Sequence, residues 1–439
     1  MVPPEALDFC RALGGLPPFR PGEGVSRRAR VKTSQTPAVP LSRNAGGDGD
    51  RLVALDTVRG VAVLGILAAN IVGMGQPMAA AGWPGGFLEP PRPVDDWLWG
   101  AQLVLVDGKF RGLFTVLFGA GMVLFARSAA ARGLGDGLLA RRLGWLALFG
   151  IAHWALLWRG DILLTYAVAG FVALPMLAWP AARQLTLGLI GYLVGAAMIA
   201  GVTAALTMID PGGLADIVAE ERADGRAEAA LVLAGDHGAV VAHALSAHLS
   251  DLVANVLWAL FETVPLLLIG VSLVQFGLFD GGADPRRQRR WGWTLWLGGT
   301  AATIGIAWAA LQGGIRYPDA MRAAAWTTFP ALAATLGLMA LLALWGQSAK
   351  GWLADRLAEA GRCAFSNYIG SSALALAVFS GWGLGLFGQL GRLQLYGVML
   401  VFWLIMLGWP KYWLARFRHG PLEWLWRCLT YGTRLPLRR

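Results

Sequence analysis

The sequence predicts an all-α protein, a polytopic bundle of about ten transmembrane helices. Of its 439 residues, 56% are hydrophobic and only 15% are charged, whereas a soluble protein of this size needs more polar surface. The apolar residues are gathered in runs, most of them close to the roughly 20 residues that cross a bilayer as a helix. The 21 Trp residues suit the membrane interfaces, where an apolar ring and a polar N–H are both accommodated.

The predicted spans follow one another along the chain with short connections between most of them. They are residues 57–75, 111–130, 143–158, 162–179, 184–206, 252–279, 291–311, 325–346, 364–381 and 394–412. A further stretch, 95–107, is too short to span comfortably, and it predicts a helix lying in the membrane interface.

The spans divide the chain into two halves. Residues 1–50, rich in proline and without an apolar run, predict a disordered cytoplasmic tail. Residues 51–206 form the N-terminal transmembrane half with five spans, and residues 207–250 form an extracytoplasmic loop. Residues 251–439 form the second half, which ends in a basic cytoplasmic segment.

The distribution of positive charge predicts the orientation. With both termini inside, most of the 37 Lys and Arg residues fall in cytoplasmic segments, as the positive-inside rule requires. The net charge of +10 therefore reflects topology and anionic lipids at the cytoplasmic face, and it gives no reason to expect nucleic acid as a partner. The protein is predicted to be a multi-pass membrane protein, and its oligomeric state stays open.

The stretch "HWALLWRGDILLTYAVAG", residues 153–170, places charge between two spans at the predicted outer face. Asp161 suits the start of the fourth span, where a carboxylate caps free backbone N–H groups. The position of Arg159 is explained by a side chain that snorkels to the lipid headgroups as well as by a role in binding. His153 lies within its span, so it is either a hydrogen-bonded structural residue or a base or proton carrier.

Other polar residues lie at a similar depth. Asn70 is near the outer end of the first span, and Glu262 is in the outer half of the sixth. A carboxylate within the membrane requires a partner, and Lys109 or Arg111 could neutralise it. Together these residues predict an outward-facing site, with a catalytic group of His153, Asn70, Asp161 and Glu262 and a substrate-binding group of Lys109, Arg111 and Arg159.

A second polar set lies at the predicted inner face. Asp56 and Arg59 have the i, i+3 spacing of a local ion pair on a helix. This face is either an anchoring surface with interhelical hydrogen bonds or a basic mouth for a phosphorylated cytoplasmic ligand. In the second interpretation the ligand is bound by Arg59, Arg362, Asn367, Tyr368 and Arg427.

No metal ion or firmly bound cofactor is predicted. His237, His243 and His248 in the long outer loop are spaced 6 and 5 residues apart, which does not align them on one helix face.

Several stretches together resemble the YeiB-like family of bacterial inner-membrane proteins: residues 51–71, 107–122, 141–168, 360–372 and 417–432. That family is similar in turn to membrane-embedded acyltransferases of the heparan glucosamine N-acetyltransferase type. The resemblance implies transfer of an acyl group from cytoplasmic acyl-CoA to an acceptor across the membrane, with Arg59 and Asn70 in the matching first span. Acyltransferases of that type typically have a His in the segment after the first span, whereas residues 77–100 here contain none. The resemblance therefore leaves the role of base to His153.

Three functions are open at this point. The leading hypothesis is a membrane-embedded acyltransferase that uses acyl-CoA as donor. The alternatives are a proton-coupled transporter of a small molecule, with His153, Asp161 and Glu262 as the proton path, and a non-catalytic scaffold or sensor.

Overall fold

The computed structural model describes residues 48–135, 137–208 and 211–439, and these are almost entirely helical. Leaving out one isolated turn of helix and two short 3-10 segments, fifteen helices are numbered in this part of the chain. They are α1 Asp48–Gly75, α2 Pro93–Leu105, α3 Lys109–Ala130, α4 Gly137–Leu156, α5 Leu163–Ala173, α6 Ala181–Thr207, α7 Pro211–Ala234, α8 His237–Ala247, α9 Leu249–Gln275, α10 Pro285–Gln312, α11 Tyr317–Ser348, α12 Trp352–Arg362, α13 Ala364–Phe379, α14 Arg392–Leu414 and α15 Pro421–Tyr431.

The predicted fold class is confirmed. The described residues contain no strand, and their single β-bridge joins Phe417 to Arg438. Seven helices, α1, α3 with α2, α6, α9, α10, α11 and α14, are long and apolar enough to cross a membrane, while α5 and α13 are shorter apolar helices. The protein is therefore a multi-pass helical membrane protein. The count of ten crossings and the position of both termini stay predictions.

Helix α1 is at the centre of the bundle. It packs against α3, α11, α12, α13 and α14. Its apolar 18-residue stretch is 72% buried within the protein. Val58 and Ala62 belong to one core cluster, and Ile66 and Ile71 belong to another. A helix that is apolar all round in this way belongs inside a bundle.

The peripheral helices have apolar surfaces that no other helix covers. The apolar 18-residue stretches of α6, α10 and α14 are only 28%, 22% and 28% buried within the protein. Side chains such as Val194 and Leu404 are exposed. Apolar surface of this extent is stable in contact with lipid, because its exposure to water is energetically unfavourable.

Two segments outside the long spans are also helical. Residues 93–105 form α2, as the sequence predicts, while the location of α2 in the membrane interface stays a prediction. The predicted extracytoplasmic loop, 207–250, contains α7 and α8, which pack on each other. Of the predicted tail, residues 1–47 lie outside the described part of the chain.

Two glycines allow α1 and α12 to cross closely. A Cβ atom on Gly361 would collide with the carbonyl oxygen of Asp56, and one on Gly60 would collide with the carbonyl oxygen of Leu357. The contact is backbone against backbone, so no side chain can rotate to relieve it. This crossing holds Asp56 and Arg59 close to Arg362.

Replacing Gly361 with Ala is expected to destabilise the protein by about 1–3 kcal/mol, the usual cost of overpacking a core. The measurement is the thermal unfolding midpoint of the detergent-purified protein. Gly397→Ala is the control, because a Cβ atom there meets open space on α14. An equal effect of the two substitutions would contradict the close crossing.

Candidate functional site

Three side chains form a buried hydrogen-bonded chain between α4, the start of α5 and α13. His153 Nδ1 is 2.9 Å from Asp161 Oδ1, and His153 Nε2 is 2.9 Å from Ser372 Oγ. The side chains of His153 and Asp161 are fully buried, and Ser372 is buried as well. The sequence singled out His153 and Asp161 for catalysis, and the structure brings them into contact.

Local structure explains why Asp161 can hold the histidine. Its second carboxylate oxygen, Oδ2, accepts a hydrogen bond of 2.8 Å from the backbone N–H of Leu164 in the first turn of α5. The predicted capping role is therefore confirmed, and it leaves Oδ1 free to face His153. The carboxylate fixes the imidazole from one side, while the Tyr368 ring packs beside it with a centroid distance of 5.0 Å.

A cavity of about 470 Å³ opens at the basic end of the bundle. We call it the basic cavity, and its deep wall is aromatic, formed by Phe114, Phe118, Tyr166, Phe365 and Tyr368. Its mouth carries five arginines together with Asp56, His419 and Glu423. The arginines are Arg59, Arg142, Arg362, Arg418 and Arg427.

The mouth of the basic cavity carries an excess of positive charge, with five arginines against the two carboxylates Asp56 and Glu423. Burial and the nearby Arg427, Arg362 and Arg418 lower the pKa of His419 to about 4, because each cation disfavours a further positive charge. Arg427 Nε is buried and has no hydrogen-bond partner among the described residues. A cationic mouth with an unsatisfied donor favours an anion, and guanidinium groups suit phosphate in particular.

Two of the cavity residues keep the mouth in shape. The Arg142 guanidinium lies 3.6 Å from the centroid of the Trp426 ring. Glu423 accepts hydrogen bonds from the backbone N–H groups of Phe365 and Ser366 at the start of α13. This carboxylate fixes the end of the helix that carries Tyr368 and Ser372.

A smaller cavity of about 80 Å³ lies on the other side of the hydrogen-bonded chain. We call it the second pocket. Ser372, Trp154, Arg159 and Glu228 are among its lining residues. Arg159 forms an ion pair of 2.8 Å with Glu228 of α7, so the helices of the 207–250 segment close this pocket.

Tyr368 and Ser372 connect the two cavities. Tyr368 lines the basic cavity and Ser372 lines the second pocket. They lie on one face of α13, one turn apart, which corresponds to about 6 Å along the axis. His153 contacts both side chains, although it is not itself a lining residue of either cavity.

Of the two predicted partners of Glu262, Lys109 and Arg111, the structure pairs Arg111 with it. Arg111 Nη2 is 2.6 Å from Glu262 Oε2, and Glu262 is buried. Lys109 instead donates to the carbonyl oxygens of Leu103 and Asp107. Arg111, Lys109 and Glu262 line neither cavity, so in the structure they are bundle contacts.

The two predicted asparagines differ in their surroundings. Asn367 donates to the carbonyl oxygens of Ala360 and Met406 and accepts from Trp409, so its amide is engaged in helix packing. Asn70 Nδ2 is buried without a hydrogen-bond partner in the described part of the chain. Asn70 lies one turn before Gly73 and Met74, which line the second pocket. The catalytic role of Asn70 stays a prediction.

The remaining inner-face predictions fall at the basic cavity. Asp56 and Arg59 form the expected i, i+3 ion pair, with a distance of 2.5 Å. Arg59, Arg362, Tyr368 and Arg427 all line this cavity. Sequence reasoning missed Ser372 and Arg142. Ser372 stands in the stretch "SNYIGSS", where serines are common helix-packing residues, and Arg142 looked like one more cytoplasmic charge.

Comparison with known proteins identifies a family and several relatives of this chain. A family model described as "Protein of unknown function (DUF418)" matches residues 273–433. The chain is 32% identical over 400 residues to the "Uncharacterized protein YeiB" of Escherichia coli K12, covering 87% of this chain and 96% of that protein. It is 26% identical over 410 residues to the "Uncharacterized protein YxaH" of Bacillus subtilis 168, covering 88% and 96%. No solved structure matches.

At this identity and coverage, the chain belongs to the YeiB-like family of proteins. The resemblance that the sequence predicts is thereby confirmed at the level of the family. Both matches cover 96% of the relative's own length.

Glu262→Gln is expected to destabilise the protein, because it leaves Arg111 without its anionic partner. In the double variant with Arg111→Gln, the loss is expected to be smaller than the sum of the single losses by roughly 0.5–3 kcal/mol. Unfolding free energies in detergent measure this coupling. The control is Glu89→Gln, at an exposed carboxylate, and additive effects of the Glu262 and Arg111 substitutions would contradict a coupled pair.

Proposed function

We propose that this protein is a bacterial inner-membrane acyltransferase that moves an acyl group from cytoplasmic acyl-CoA to an extracytoplasmic acceptor. The observation that supports this best is the buried Ser372–His153–Asp161 chain between the basic cavity and the second pocket. A serine hydroxyl, a histidine and a carboxylate in that order are the groups of acyl-transfer catalysis. The positive-inside rule places the basic cavity at the cytoplasmic face.

The basic cavity suits the donor. Its arginine-rich mouth matches the phosphates of a CoA thioester, while its aromatic deep wall suits an apolar acyl chain. The bound thioester would lie with the phosphates at the mouth and the acyl end near Tyr368. That end lies beside His153, whose ring contacts Tyr368.

The chemistry divides into two balanced steps. His153 Nε2 accepts the proton of the Ser372 hydroxyl while Oγ attacks the thioester carbonyl carbon. The C–S bond breaks, the thiolate takes that proton from His153, and an acyl-serine ester remains. Asp161 stabilises the imidazolium through Nδ1–H, and the free amide donor of Asn70 is proposed to stabilise the oxyanion.

The second step uses the acceptor. A hydroxyl or amine enters through the second pocket and transfers its proton to His153 as it attacks the acyl-serine carbonyl. Ser372 Oγ leaves with that proton, and the acyl group is then on the acceptor. Because Ser372 lines the second pocket, the ester is formed where the acceptor can reach it.

Donor binding is expected to depend on the arginines of the basic cavity. Arg362→Ala and Arg427→Ala should each weaken binding of acetyl-CoA or a longer acyl-CoA about ten- to hundredfold, because each removes a charge-assisted contact to phosphate. Equilibrium binding to the detergent-purified protein measures this, and affinity should fall with added salt.

The matched control is Arg183→Ala, at an exposed arginine that is predicted to be cytoplasmic and lies outside the basic cavity. It should bind acyl-CoA as the wild type does. If no acyl-CoA of any chain length binds to the wild type, the proposal is wrong. Proton-driven uptake of a small molecule into proteoliposomes would then favour the transporter.

Incubation with acyl-CoA and no acceptor is expected to add one acyl group to Ser372. Ser372→Ala and His153→Ala should abolish this modification, and Asp161→Asn should slow it by up to about 10⁴-fold, as in other triads. Intact-mass measurement followed by peptide mapping detects the ester.

Ser371→Ala is the matched control, because Ser371 donates to the carbonyl oxygen of Tyr368 and does not contact His153 in the structure. It should be acylated normally at position 372. Turnover that survives Ser372→Ala but not His153→Ala would contradict the acyl-serine step and leave His153 as a base acting directly on the acceptor.

A further inference from the structure

Two histidines and a carboxylate converge on one point beside the second pocket. Asp224 Oδ1, on α7, is 3.8 Å from His248 Nε2 and 4.0 Å from His243 Nε2. His243 lies on α8, and His248 lies at the junction of α8 and α9. One ligand atom from each of the three residues falls within 4.8 Å of the other two.

The histidine nitrogens that face this point have nothing to bond to. The Nε2 atoms of His243 and His248 are both buried and without a hydrogen-bond partner in the described ranges. His248 is only 8% exposed. A buried polar atom without a partner carries a free-energy cost, and two such atoms aimed at one carboxylate point to a missing ligand.

The hydrogen bond of the other ring nitrogen of His248 is of the kind that metal-bound histidines make. Its second ring nitrogen, Nδ1, is 2.9 Å from Asp251 Oδ2 in the first turn of α9. A carboxylate that accepts from Nδ1–H fixes the tautomer in which Nε2 is free to bind a cation, as in carboxylate–histidine–zinc sites.

We propose that Asp224, His243 and His248 bind one divalent transition-metal ion, for which Zn²⁺ is the preferred ion. Two imidazoles and a carboxylate are ligands that Zn²⁺ takes at about 2.0–2.2 Å. The ligand atoms of a tetrahedral site lie about 3.4 Å apart, so atoms that are within 4.8 Å of one another need to approach by no more than about 1.4 Å. Three protein ligands leave a fourth position open.

The site joins separate elements of the 207–250 segment. A bound ion would connect α7, α8 and the start of α9. His243 also lines the second pocket, so the open position lies at or near the wall of that pocket. Metal binding itself requires no substrate, and the proposed site is tested independently of acyl transfer.

The test is Zn²⁺ binding to the full chain, purified in detergent without a histidine tag and stripped with a chelator. One Zn²⁺ per chain is expected by elemental analysis and by titration. Co²⁺ should bind the same site and give visible absorption of a nitrogen- and oxygen-ligated ion. The thermal unfolding midpoint should rise with added Zn²⁺, because the ion binds the folded state.

The variants distinguish the site from adventitious binding. His248→Ala, His243→Ala and Asp224→Ala should lose the ion, and Asp251→Asn should weaken binding about ten- to hundredfold. The control is His237→Ala, which removes a histidine of the second pocket outside the cluster. Asp224 is partly exposed, so its variant reports on the site even if a histidine variant fails to fold.

Absence of stoichiometric Zn²⁺ in the wild type at micromolar free metal would overturn the proposal. So would equal binding by the wild type and Asp224→Ala. If acyl transfer is absent but Zn²⁺ still binds through these three residues, the metal site stands and the proposed function does not.

Discussion

The structure depends on a single constraint, which is that polar groups enclosed by apolar helices must find their partners within the protein. Lipid offers no hydrogen bonds, so an unpaired group there has a large free-energy cost. The chain meets most of this constraint with a small number of contacts between helices, and the buried Nδ2 of Asn70 is an exception. Arg111 neutralises Glu262, Glu423 caps α13, and Asp161 holds both the start of α5 and the ring of His153. The same contacts fix the positions of the groups that face the two cavities.

Much of this fold could be predicted because the membrane imposes a strong pattern on sequence. Apolar runs of helix length locate the spans, and a capping Asp161 after Gly160 locates the start of α5. The pairing of Asp56 with Arg59 follows from i, i+3 spacing within one helix. The partner of Glu262 could be narrowed to Lys109 or Arg111. Choosing between them required the packing of α3 on α9, which one sequence does not contain.

The parts that escaped prediction depend on contacts between distant segments. Ser372 lies 219 residues from His153 in the chain, and nothing in "SNYIGSS" distinguishes it from a serine that only aids helix packing. The spacing of His243 and His248 counts against a shared face on one continuous helix. In the structure α8 ends at Ala247 and His248 occupies the turn before α9, so their rings come within 5.2 Å. A break in the helix overrides the periodicity on which the prediction rested.

Two features of the bundle favour the proposed transfer of an acyl group between the basic cavity and the second pocket over two cavities that act independently. The basic cavity and the second pocket approach each other at α13, where Tyr368 and Ser372 lie on one face a single turn apart. His153 contacts both of these side chains and is held by Asp161 through its other ring nitrogen. A phosphorylated donor cannot cross an apolar bundle, because its charges would lose their hydration. An acyl group attached to Ser372 carries no charge and needs to move only from one side of that turn to the other. In the proposed function, this arrangement would keep the charged donor on its own side and let only the neutral acyl group pass.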